Sequence, residues 1–143
     1  AGLGARDTLR TEMGYGLSGQ DFDASVTPLE AGIESFVAWD TEFGGKKALS
    51  AKRAKGDYPV LVGIRSKDRR APRHGWEVHC EGVTIGEVTS GTFGPSIGHG
   101  IGLARLPREL SEAGFQLTAG PKELPIETST LPFNLHGTCR TNV

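Results

Sequence analysis

From about residue 58 onward the chain breaks into short strand-like segments with turn signals between them and no long helical run. The segments are 59–65 (PVLVGIR), 75–80 (GWEVHC), 83–89 (VTIGEVT), 100–106 (GIGLARL), 114–119 (GFQLTA) and 123–130 (ELPIETST). Trp76, Val78 and Cys80 alternate with Glu77 and His79, the period of a strand with one buried face. Glu81-Gly82 sits between two segments, where a tight hairpin turn belongs, and Gly86 interrupts a strand pattern as a bulge does. Six such segments predict a mainly β fold, a small antiparallel β-barrel or jelly roll. Its expected core includes Val60, Val62, Trp76, Val78, Leu103, Phe115 and Leu117. The 143 residues suffice for one modest domain with a real core, or for a domain plus a fragment.

The first third has a different texture. In residues 2–13 Ala5, Leu9 and Met13 recur at i, i+4, i+8, one helical stripe closed by Gly14. Residues 14–27 are loop-like. Thr27-Pro28-Leu29-Glu30 is a helix start, with Thr as N-cap, Pro at the first helical position and Glu at the third, but Gly32 keeps the helix short. Residues 36–39 have a strand composition, and Lys46 to Lys55 predict a helix ending at Gly56. The chain opens without Met and goes straight into a helical pattern, which reads as a piece of something longer.

Charge is nearly balanced, with 16 Lys/Arg against 17 Asp/Glu, so no global field points to nucleic acid or membrane. No apolar run approaches membrane length, and no signal peptide is evident. The charge is uneven, however. Residues 46–73 hold ten Lys/Arg and two Asp, a balance of +8 against −9 for the remainder. That stretch is expected either to receive an acidic carrier protein or to form a solvated face. Cys80 and Cys139 make no disulfide framework and suit a reducing, cytoplasmic setting.

Residues 91–104, GTFGPSIGHGIGLA, overlap two signatures. Gly94-Pro95-Ser96-Ile97-Gly98 fits the G-x-S-x-G of a hydrolase elbow, and Gly98-His99-Gly100-Ile101-Gly102 begins like a dinucleotide-binding loop. Both need a helix next. Gly98, Gly100 and Gly102 disfavour one by about 1 kcal/mol each, and Leu103 to Pro107 read as a strand ended by proline. Ser96 is therefore expected to be chemically inert. His74, His79, His99 and His136 are scattered without metal-ligand spacing, and no metal is expected.

Glu12 stands out on physical grounds. At about 100° per residue it lies about 20° from Ala5 and about 60° from Leu9, on the apolar side of the first helix. It also sits in the last turn, where the helix dipole disfavours a negative charge. A carboxylate placed against both preferences calls for a specific partner or for a frayed end that lets it reach solvent.

Several motifs in order resemble the C-terminal portion of the aminomethyltransferases, the T-proteins of the glycine cleavage system. They are Gly4-Ala5-Arg6-Asp7-Thr8-Leu9-Arg10-x-Glu12, Leu17-x-Gly19-x-Asp21, Thr27-Pro28-Leu29-Glu30-Ala31-Gly32, Pro72-Arg73-His74-Gly75, Ile85-Gly86-x-Val88-Thr89-Ser90-Gly91, Ile101-Gly102-Leu103-Ala104 and Leu131-Pro132-Phe133. The resemblance implies that residues 1–50 end a folate-binding core and that 56–143 form the C-terminal β-barrel. It implies a three-domain enzyme that takes an aminomethyl group from the lipoyl arm of a partner, the H-protein, and releases ammonia. The one-carbon unit passes to tetrahydrofolate, giving methylenetetrahydrofolate. Glu12 matches the residue that hydrogen-bonds the pterin ring, which a half-buried carboxylate can do by accepting adjacent N–H donors. The family's catalytic aspartate lies in the N-terminal half, so no catalytic residue is expected in this chain. Thr11 replaces a usual leucine, Phe43-Gly44-Gly45 replaces Phe-Ile-Gly, and no arginine occurs among Asp40-Thr41-Glu42. Gly94 stands where the family often has Ser, and His136 to Arg140 lack a tyrosine found in some members. A folate-dependent demethylase, a dehydrogenase-associated folate domain and a non-catalytic folate-binding protein are similar alternatives.

Overall fold

A computed structural model of the chain describes residues 2–136. Among these residues lie two α-helices, α1 (Leu3–Glu12) and α2 (Lys46–Lys55), followed by β1 (Pro59–Ser66), β2 (Glu77–Cys80), β3 (Val83–Gly94), β4 (His99–Pro107), β5 (Gln116–Ala119) and β6 (Leu124–Ser129). The strands pair antiparallel throughout and close into a barrel in the order β1-β4-β3-β2-β5-β6. Closure leaves no free sheet edge, the arrangement a small β domain needs to avoid templating other strands. Every strand sends side chains inward: Val62 and Ile64, Val78, Val88, Ala104 and Leu106, Leu117 and Ala119, and Leu124 and Ile126. Val60 and Trp76 pack against this core from its margin. Leu103 is buried outside that cluster, while Phe115 is 39% exposed and does not belong to the core.

The turn chemistry fits the sequence. Glu81 and Gly82 have φ of 51° and 80°, the pair of positive values that a tight two-residue hairpin requires. The β2–β3 register shifts between Val78, opposite Gly86, and His79, opposite Thr84, so a bulge at Ile85 lies beside Gly86. Gly91 and Gly100 serve a different purpose. A Cβ at either would overlap a main-chain carbonyl, that of Pro72 or of Arg70, so both let the β1–β2 connection lie flat on β3 and β4.

Three features of the first third depart from the sequence reading. Residues 36–39 form no strand. Glu34–Phe36 is a single 3-10 turn with Phe36 86% exposed, and the closed barrel offers these residues no edge to join. The helix expected from Thr27 does not form: residues 28–32 make only turns, although Glu30 Oε2 accepts from the Thr27 amide at 2.9 Å and its hydroxyl at 2.6 Å, half of a capping box. Gly32, at φ 70°, ends the turn at once. Helix α1 is rotated relative to its apolar stripe. Thr11 and Glu12 are buried, while Leu9 is 62% and Leu3 75% exposed. Its inward face is polar.

Helix α2 ends at Gly56, φ 72°, as its sequence predicts, but it buries no residue. Ion pairs hold it instead: Lys52 with Glu30 at 2.8 Å, Arg53 with Glu34 at 2.6 Å, and Lys46 with Glu42 at 2.9 Å. Arg53 also lies over the Trp39 ring, 4.8 Å from its centroid. Burial works against the charged form of Glu30, yet hydrogen bonds from Lys52 and Thr27 outweigh it and hold the carboxyl below its usual value of 4.5. A carboxyl lowered in the folded state stabilises fully above its unfolded pKa and loses that contribution as pH falls through the folded value. Wild type and Glu30→Gln should therefore differ by about 1 kcal/mol at neutral pH and converge as the pH drops below 4.5. Denaturant unfolding at pH 7 and pH 3 checks this.

Candidate functional site

The site is built where the C-terminal turn of α1 meets the β3–β4 hairpin. A polar helix face can be buried only if every polar group finds a partner. Arg10 donates from Nη1 to Asp21 Oδ2 at 2.6 Å and from Nη2 to Ser90 Oγ at 2.8 Å, and its Nε reaches Asp7 Oδ1 at 2.8 Å. Asp21, 1% exposed, also accepts from the Leu17 amide at 2.8 Å, from Thr89 Oγ1 at 2.6 Å and from Ser90 Oγ at 2.6 Å. Gln20 Nε2 reaches Ser90 Oγ at 2.9 Å. Arg105 donates to the main-chain oxygen of Asp21 at 2.8 Å, bringing in β4. Thr8 meets Thr92 on β3 at 3.2 Å, and Thr11 satisfies its hydroxyl on the Asp7 carbonyl at 2.7 Å. One carboxylate thus ties α1, the following loop and β3 together.

Glu12 completes that face. It is 2% exposed, and Oε1 accepts the backbone N–H of Ser96 at 2.9 Å. Its carbonyl accepts from Phe133 and Asn134 at 3.0 and 3.1 Å, so the segment after the barrel closes over the helix end. Among the described residues Oε2 accepts no hydrogen bond. The carboxylate sits at the unfavourable end of the helix dipole, with a peptide N–H as the compensating partner. The partner that the sequence reading called for is therefore found.

The glycine-rich run supplies that partner. Gly94 ends β3, its carbonyl accepts from Ile97 at 3.1 Å and Gly98 at 2.8 Å, and Gly98 has φ 79° before β4 begins at His99. A strand follows the turn, so neither an elbow nor a phosphate-binding helix is present. Ser96 is exposed and contributes its main-chain N–H, not its hydroxyl.

The remaining sequence candidates separate. His74 bonds the Thr89 carbonyl through Nδ1 at 2.7 Å, whereas His79 and His99 bury an Nδ1 without a partner. Among the described residues no three His, Cys, Asp or Glu group as metal ligands do. No helix among them is long and apolar enough to cross a membrane. Cys80 is a half-buried free thiol, and Cys139, with the rest of 137–143, lies outside the described residues. The basic stretch 46–73 is partly neutralised, with Lys47, Lys67, Arg69 and Arg73 left exposed. Lys46, Lys52, Arg53, Lys55, Arg65 and Arg70 all pair with carboxylates, and Arg69 lies over Phe93 at 4.6 Å. Sequence reasoning had no physical reason to single out Asp21, because a loop aspartate gives no local sign that four donors converge on it.

Residues 60–134 match the glycine cleavage T-protein C-terminal barrel domain, and residues 1–41 match the GCVT N-terminal domain. The chain belongs to the glycine cleavage T-protein family. An aminomethyltransferase of Parafrankia sp. (strain EAN1pec) is 52% identical over 112 residues, covering 77% of this chain and 31% of that protein. One of Rubrobacter xylanophilus is 44% identical over 135 residues, covering 93% and 36%. The crystal structure of glycine cleavage system aminomethyltransferase T from Bartonella henselae superposes with a TM-score of 0.84 at 30% identity, over 91% of this chain and 38% of that one. The chain spans about a third of the length of the relatives it matches.

In this family member the buried Asp21 network fixes where α1, and so Glu12, sits. Asp21→Ala should cost about 3–5 kcal/mol, because it takes one of two carboxylates from the buried Arg10 and leaves the Leu17 amide and the Thr89 and Ser90 hydroxyls without their acceptor. Urea unfolding checks the magnitude, and faster amide exchange along α1 locates it.

Proposed function

We propose that the chain is the C-terminal portion of a tetrahydrofolate-dependent aminomethyltransferase of glycine cleavage. The observation that carries this reading is the buried Glu12 carboxylate, with one oxygen held by the Ser96 N–H and the other without a hydrogen bond among the described residues, in a chain of this family. The aminomethyl carbon arrives on the lipoyl sulfur of a carrier, the H-protein. Its bonds to that sulfur and to its own nitrogen break as two bonds to folate nitrogens form. Ammonia and the carrier thiol take up the two protons released. Within this chain Glu12 binds and orients: Oε2 accepts an N–H from the pterin, while Ser96 N–H holds Oε1 and Phe133 and Asn134 hold the main chain. Residues 1–50 belong to the folate-binding core and 56–143 to the barrel, in a cytoplasmic enzyme. Among the described residues no group is arranged to drive the transfer, and the chain alone is expected to be inactive.

A second feature supports an incomplete core. The outward side of α1 is apolar, with Leu9 exposed beside a groove of Ala5, Met13 and Tyr15. It continues past Met13 and Tyr15 to Phe36 and Leu131. A helix with a hydrogen-bonded polar face inward and an apolar face outward is packed on one side only. The further N-terminal-domain sequence of the longer relatives is the occupant that fits this surface.

In the chain extended to the relatives' length, Glu12→Gln should weaken tetrahydrofolate binding by about 1.5–3 kcal/mol, the worth of a hydrogen bond to a charged group, read by calorimetry. Leu9→Glu should leave the unfolding midpoint of the 143-residue chain within about 0.5 kcal/mol. In the extended chain, where Leu9 is covered, the same change should cost several kcal/mol by burying a charge, on the order of 3 or more. Equal effects in the two would show that nothing covers α1.

A further inference from the structure

We propose that the β3–β4 turn is a positioning element for Glu12, acting through the backbone N–H of Ser96. The inference rests on the reading that Glu12 receives the pterin. It adds that the barrel sets the direction in which the carboxylate points.

The turn is built to free that one amide. Pro95 has no N–H, and the amides of Ile97 and Gly98 both close onto the Gly94 carbonyl. Ser96 is left as the turn's unused donor, and it meets Glu12 Oε1 at 2.9 Å. The turn is also stiff. Pro95 presets its own φ in the position after the first turn residue, and Gly98 takes φ 79°.

The turn packs closely on the carboxylate at Gly94. A Cβ there would lie 2.9 Å from Ile101 Cδ1, the movable end of a side chain, and 3.2 Å from Glu12 Oε1. The carboxylate is thus bracketed. Its main chain is fixed by Phe133 and Asn134, and one oxygen is fixed by a turn 84 residues away. A glutamate otherwise keeps three rotatable bonds and must be ordered when its ligand arrives. Holding Oε1 beforehand orders the side chain in advance and leaves Oε2 for the ligand.

Two measurements test this. In the 143-residue chain, the Ser96 amide should be protected from hydrogen exchange. Glu12→Ala should speed its exchange at least about tenfold, while Glu12→Gln, which keeps an acceptor oxygen, should not. In the chain extended to the relatives' length, Ser96→Ala keeps the N–H and should leave tetrahydrofolate affinity unchanged. Replacing Ser96 by its α-hydroxy analogue turns the amide into an ester and deletes only the N–H. That variant should raise KM for tetrahydrofolate about 3- to 10-fold, with kcat, the KM for the aminomethylated carrier and the unfolding midpoint unchanged. Exchange at Ser96 that ignores Glu12→Ala overturns the proposal, as does an ester variant with wild-type folate KM when Glu12→Gln weakens binding. Unchanged folate affinity in Glu12→Gln removes the pterin reading itself, and the positioning role falls with it even where exchange shows the bond.

Discussion

The carboxylate of Asp21 is the point at which the helical part and the barrel become one body. Removing a carboxylate from water is costly, and the cost is met only when several donors replace the lost hydration. Here four do so: a guanidinium from α1, an amide from the loop, and two hydroxyls from β3. They come from three places in the chain, so the network is complete only when α1 and β3 are in register. Such a contact is directional where hydrophobic packing is not. That directionality fixes the rotation of α1 and with it the position of Glu12.

The barrel was legible because its signals are local. Alternation in residues 76–80, the Glu81-Gly82 turn and the glycine beside the bulge each depend on a few neighbouring residues. All of them appear in the structure. The Thr27–Glu30 contact and the ends of α1 and α2 were legible for the same reason, although the helix expected after Thr27 does not form. The rotation of α1 was not. A stripe of Ala5, Leu9 and Met13 marks the face a helix prefers to bury, but it cannot say which neighbour does the burying. The barrel lies against Thr8, Thr11 and Glu12 because Arg10 and Asp21 demand it. Residues 36–39 misled in a related way: strand-forming side chains need an open ladder, and closure of the barrel removes it.

Glu12 was legible as an anomaly, but its partner was not. Nothing in a G-x-S-x-G pattern indicates that its serine matters through a main-chain N–H. The same residues that look like an elbow or a phosphate loop work here because Pro95 lacks a donor and the amides of Ile97 and Gly98 close onto Gly94, leaving the Ser96 N–H for Glu12. The pattern matched two chemical motifs by sharing their need for a tight turn, and the turn is the property that survives.

The charge on residues 46–73 shows how a compositional signal can be reduced in three dimensions. A balance of +8 suggests a field reaching outward. In the folded chain Glu30, Glu34, Glu42 and Glu127, all outside that stretch, lie against its lysines and arginines. Paired charges a few ångströms apart leave mainly a dipole, and at physiological ionic strength its field fades within about 8 Å. Helix α2 uses those pairs to stay attached without burying a residue. Docking a large acidic surface there would compete with the contacts that hold the helix in place, so the attraction available to a partner is smaller than the charge count implies. Whatever meets this face must offer carboxylates that replace the internal ones, or must leave the pairs intact and bind the apolar hollow between Phe43, Leu49 and Pro28 instead.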